Sequence, residues 1–123
     1  MLVDAIDRGL EFLDVTAQLQ VARIRSRRTG DGQEDVDRIT NTSASPVDTH
    51  LRIVVHGLAA GVALDNASGA AHSGDPYRRE FLPDGVLAPG DSLVETLRFS
   101  IRRPAFAPPV SYTLALLSGQ GNP

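Results

Sequence analysis

A chain of 123 residues with no cysteine, no tryptophan and 5% aromatic residues suits one domain whose core is built from Leu, Val, Ile and Ala, and it excludes disulfides and thiolate metal sites. The formal net charge of −3 argues against nucleic acid as a partner, which needs a net basic face, and no apolar run approaches the roughly 20 residues of a membrane-spanning helix, so no membrane insertion is expected. All twelve basic residues are arginine, a bias that a GC-rich genome explains more simply than twelve selected guanidinium contacts, and eleven of the fifteen acids are aspartate, the acid that caps turns.

Residues 1–14 place Leu2, Val3, Ile6, Leu10 and Leu13 close to an i, i+3, i+4, i+7 spacing, which Gly9 interrupts, so they read as a short helical or linker lead-in. Asp4 and Asp7 stand where a secretory signal needs a basic start and an unbroken apolar stretch, and an export signal would therefore lie outside this chain. A solvated tail carries few large apolar side chains. Leu2, Ile6, Leu10 and Phe12, with Val3 and Leu13, are accordingly expected to dock on a neighbour, either an adjoining domain or a second copy.

From Val15 the apolar period changes to two, with Val15, Ala17, Leu19 and Val21 on one face of a strand. A phase change near Ala22 predicts a bulge that turns Ile24 inward. T-G-D-G-Q from Thr29 is a turn, and Glu34 to Thr40 returns as a second strand. Its apolar members, Val36 and Ile39, are oddly spaced, which predicts an irregularity or a sheet edge. After the polar turn Asn41 to Asp48, Leu51, Ile53 and Val55 face one way and His50, Arg52 and Val54 the other. Val62 and Leu64 form a short strand, Asn66 to Pro76 a loop, and Tyr77 to Leu82 a brief edge strand. Leu93 to Ile101 turns Leu93, Leu97 and Phe99 inward, the Pro-rich stretch Arg102 to Pro109 crosses over, and Ser111 to Leu117 closes the domain on Tyr112, Leu114 and Leu116.

Three segments carry a family resemblance. R-I-T-N-T-S-A-S-P from Arg38 holds a T-N-x-S turn, L-R-I-V-V-H-G-L from Leu51 ends a strand on G-L, and L-A-P-G-D-S-L-V-E-T-L-R-F from Leu87 leads a strand out of a Pro-Gly turn. Together they resemble the immunoglobulin-like or fibronectin-III-like accessory modules near the ends of large bacterial secreted and cell-surface proteins, over about Ala17 to Gly121. The resemblance implies an all-β, antiparallel Ig-like β-sandwich of seven or eight strands over residues 15–121, an extracellular or cell-surface location, and a non-catalytic role in protein interaction, adhesion or domain spacing. Carbohydrate binding, and assembly by exchange of an edge strand or the N-terminal segment, are the rival readings.

Few residue constellations point to chemistry. His50 and His56 share a strand face at about 20 Å, too far to chelate one ion, and neither a G-x-S-x-G elbow nor a phosphate loop is present. Asp31, Glu34, Asp35 and Asp37 crowd the first hairpin and supply the hard oxygens that calcium takes, without the spacing of a calcium loop; a solvated acidic turn is the simpler expectation, and no other cofactor is implied. Arg23 and Arg25 lead a row with Arg27 that could meet an acidic cell-surface polysaccharide, against which stands cross-strand pairing with Glu34, Asp35 or Asp37.

Overall fold

The computed structural model describes residues 12–102 and 109–119. The helical reading of the lead-in, its docking residues Leu2, Ile6 and Leu10, and the centre of the Pro-rich crossover lie outside the described residues. Within them the regular structure is strand except for one 3-10 turn: β1 (Phe12–Asp14), β2 (Leu19–Arg28), β3 (Gly32–Asn41), β4 (Val47–Asp48), β5 (Leu51–His56), β6 (Val62–Leu64), β7 (Gly69–Ala70), β8 (Pro76–Glu80), β9 (Val86–Leu87), β10 (Ser92–Ile101) and β11 (Thr113–Gly119). The eleven strands exceed the seven or eight expected because β4, β7 and β9 have two residues each, too short to show a period in sequence.

All ladders are antiparallel, in a five-stranded sheet ordered β1-β11-β5-β8-β7, a four-stranded sheet ordered β2-β3-β10-β6, and the small pair β4-β9. The two large sheets face each other as a sandwich. Leu51, Ile53, Val55 and Leu116 project from one, and Leu19, Ile39, Leu93, Leu97 and Phe99 from the other, all of them buried. Burial of each such side chain contributes about 1.5–3 kcal/mol. Tyr112 and Leu114, expected in the core, are half-buried and pack against it. No helix among the described residues is long and apolar enough to cross a membrane.

The structure corrects the sequence reading at the second and third strands. Thr16–Gln18 is a turn of 3-10 helix rather than strand, leaving Ala17 exposed. The bulge falls between Arg23 and Arg25, close to where the phase change placed it, but Ile24 is 47% exposed, because the bulge keeps Arg23 facing inward. β3 is a central strand between β2 and β10, not an edge. Its inward positions are Gln33, Asp35, Asp37, Ile39 and Asn41, all buried, while Val36 pairs with Arg25 and Thr96 on the outer face and is half-buried. Four of the five inward side chains are polar, so an apolar period could not reveal the phase.

Specific residues fix the close approaches. A Cβ on Gly32 would lie 1.8 Å from the Phe99 carbonyl oxygen, so only glycine lets the start of β3 come this near β10. Asn41 is fully buried, and its amide group donates to the carbonyls of Ser45 and Leu87, both at 2.8 Å, and accepts from the Ser43 amide and hydroxyl. That closes the T-N-T-S turn from within.

Candidate functional site

The inward aspartates of β3 are sealed by a charge cluster along one long side of the sandwich. Asp35 accepts hydrogen bonds from Ser26 Oγ at 2.6 Å, Gln33 Nε2 at 3.0 Å and Tyr112 Oη at 2.6 Å, and Arg23 Nη1 stands 3.3 Å away. Arg23 Nε bonds Asp37, and its Nη2 donates to Tyr112 Oη at 2.9 Å. Tyr112 arrives from the opposite sheet, so the cluster ties the two layers together. Burial, and donation to the Asp35 carboxylate, push the Tyr112 phenol well above the ordinary tyrosine range.

The other long side carries a second cluster. Arg78 and Glu80 are the inward residues of β8, opposite Ile53 and Leu51. Arg78 Nε donates to Glu95 Oε1 at 2.7 Å, Nη2 to Glu80 Oε1 at 3.2 Å and Nη1 to the Asn66 carbonyl at 2.9 Å. Glu95 is 2% exposed. Burial first, and then the neighbouring Glu80, raise its carboxyl to about 7 against the pull of Arg78.

The sequence-derived acidic group is thus divided. Asp35 and Asp37 point into the sandwich with their oxygens engaged, Glu34 points to the outer face, and Asp31 sits in the turn before β3. The four are not brought around one point. Arg23 and Arg25 part as well, Arg23 to Asp35 and Asp37, Arg25 to Glu34 at 3.5 Å, which is the cross-strand pairing that competed with a free anion site. Phe12, the last residue of the docking group, lies in β1, whose register against β11 is Phe12 with Gly119 and Asp14 with Leu117. The final residues of the lead-in therefore belong to the sheet.

That register has a geometric result. Phe12 and Gly119 are cross-strand neighbours, so the described chain enters and leaves at the same pole of the sandwich. The opposite, distal pole holds the turn 29–31, the loop 57–61, the turn 72–75 and the approach to β11 at 109–112. Three concavities open there. One of about 250 Å³ is lined by small and apolar residues of the 57–60 loop with Ile101, Val110 and Arg102. Two wider ones, about 520 and 510 Å³, lie beside it, the first with Asp31 and Arg102, the second with His56 and Asp75 at its rim. Gly61, with φ +85°, turns the loop between them.

Charge at this pole is placed by hydrogen bonds. His56 Nδ1 lies 2.8 Å from Asp75 Oδ2, and Ser73 Oγ donates to the same oxygen at 3.1 Å; the His56 contact chiefly holds the Asp75 carboxyl below its ordinary range. Nothing in the sequence singled out this site. Its parts are separated by up to about eighty residues, from Asp31 to Val110, and the sequence marked them only as turns, a loop and a Pro-rich crossover. No family model and no curated protein matches the chain.

Proposed function

We propose that this domain is a non-catalytic, Ig-like module of a larger exported or surface protein, projecting from its attachment point and binding through the loops of its distal pole. The observation that carries the reading is the pairing of Phe12 with Gly119, with the three concavities at the far end. A spacer in a linear array receives its chain at one pole and releases it at the other. This sandwich does both at one pole, which favours presentation of its free end over spacing. Loops on a rigid scaffold are where recognition residues concentrate, and the two inter-sheet clusters supply rigidity. A bacterial cell-surface setting is the expectation the sequence resemblance adds.

The test is a binding screen on arrays of immobilised glycans and proteins with three forms of the domain. Ala60→Arg at the distal pole should abolish the signal of at least one ligand that the wild-type domain retains. Phe81→Ser, an exposed residue beyond the proximal end of β8, should leave it intact. Loss with Phe81→Ser and retention with Ala60→Arg would reverse the assignment of poles and overturn the reading.

A further inference from the structure

The outer face of the four-stranded sheet is open and basic, although the whole chain carries a formal charge of −3. Outward positions of β2, β3 and β10 hold Arg25, Arg27, Arg38 and Arg98, with Glu34 as the only acid among them. Arg25 Nη2 and Arg27 Nη2 approach one oxygen of Glu34 at 3.5 and 3.3 Å, and Arg98 Nε approaches the other at 3.2 Å. The three guanidinium-bearing side chains are about 60% exposed (59%, 59% and 61%), whereas that of Glu34 is 13% exposed. Its carboxyl is held below the ordinary range, chiefly by Arg98.

A single carboxylate thus gathers three cations from three adjacent strands. It satisfies about one N–H of each, and every guanidinium has five, so most donors still face water. The long contacts of Arg25 and Arg27 are easily exchanged for a stronger acceptor. Arg38 extends the basic surface along β3 by about 13 Å at four residues from Glu34, and its cross-strand neighbour Val94 is 54% exposed. The array spans three adjacent strands, has an excess of positive charge and suits bidentate recognition of carboxylate and sulfate groups.

From this we infer that the face formed by Arg25, Arg27, Arg38 and Arg98 is a binding surface for an acidic polysaccharide, whose carboxylate or sulfate groups the guanidiniums engage in succession along an extended chain. An extended polyanion can reach guanidiniums spread over three strands, which a compact ligand cannot span. Strand positions of this face carry no aromatic side chain on which nucleic-acid bases could stack. The inference is independent of the distal-pole reading, since the two surfaces share no residue.

The probes are polygalacturonate for carboxylate, dextran sulfate for sulfate, neutral dextran as the uncharged control and a single-stranded DNA oligonucleotide as the other macromolecular polyanion. Titration of the intact domain at 50 mM salt should show saturable binding to at least one of the two acidic polysaccharides and none to dextran, with affinity falling steeply as salt rises. Arg27→Ser/Arg98→Ser should weaken it by about tenfold or more. Arg79→Ser, an exposed arginine on the other sheet, should change it less than about twofold. Equal losses in the Arg79 and Arg98 single variants would mean diffuse attraction rather than a site and would overturn the inference. So would tighter binding to the oligonucleotide than to either polysaccharide, or no binding to any polyanion. Unchanged thermal melts of the variants, expected because the residues are exposed, separate loss of binding from loss of fold.

Discussion

On one long side of the sandwich Arg23 reaches from β2 over two aspartates of β3, and on the other Arg78 reaches from β8 between two glutamates. Each cluster sets one guanidinium against two carboxylates, yet the surroundings differ. Asp35 also collects the hydroxyls of Ser26 and Tyr112 and the amide of Gln33. Glu95 shares Arg78 with Glu80 and has no comparable set of neutral donors among the described residues. A buried carboxylate is costly unless its lone pairs are filled. Where neutral donors fill them the acid works as a tie between sheets; where a second acid competes for the same cation, burial raises the proton affinity instead, as at Glu95.

The largest effect that sharpens this contrast belongs to Asp35→Ala. It leaves Arg23, Ser26, Gln33 and Tyr112 without their common acceptor and should cost about 3–5 kcal/mol in urea unfolding. Leu97→Ala, in the fully buried apolar core, should cost about 2–5 kcal/mol and serves as the yardstick. An Asp35→Ala loss below about 1 kcal/mol would show that the cluster tolerates water and does not tie the sheets.

Tyr112→Phe removes one neutral donor to Asp35 and one acceptor for Arg23, for an expected loss of about 1–2 kcal/mol. Combined with Asp35→Ala it should add little, because both changes break the same network. Full additivity in a double-mutant cycle would argue against a direct coupling.

The Arg78 side should respond to pH. The folded-state Glu95 carboxyl lies near 7, above its ordinary 4.5, so the folded state holds this proton more tightly than the unfolded chain does. Its contribution is fully present below pH 4.5 and is lost as pH rises through about 7. The shift corresponds to roughly 3 kcal/mol, and because Arg78 and Glu80 are each 27% exposed, screening by water reduces the expected change to about 1–2 kcal/mol. Glu95→Gln should remove that part of the pH dependence, so that the stability difference between variant and wild type moves in the variant's favour between pH 4.5 and 8. A difference that stays flat over this range would place the proton elsewhere.

The smallest expected effect is that of Glu34→Gln on the exposed face, a thermal melt that overlays the wild type, since its three partners are solvated. That contrast with Asp35, one residue away on the opposite face of the same strand, is the sharpest comparison the molecule offers.

What the sequence determined by itself was the set of strongly alternating strands. Leu51, Ile53 and Val55, and Leu93, Leu97 and Phe99, face the core as their period requires, because apolar burial dominates folding and is written residue by residue. The all-β antiparallel class, the bulge after Ala22 and the turn at Asn41 followed from the same local signals. Tertiary structure alone decided the phase of β3 and β8, whose inward residues are mostly polar or charged; an Asp or Arg faces inward only when a partner from another strand meets it there. Arg23 and Asp37 meet within one hairpin, a pairing the sequence already suggested, but Tyr112 and Asp35 are 77 residues apart, and no local pattern encodes such a meeting. The same holds for the shared pole of Phe12 and Gly119 and for the approach of Arg98 to Glu34. Pairing register between strands far apart in sequence placed them together, and register is a property of the assembled sheets.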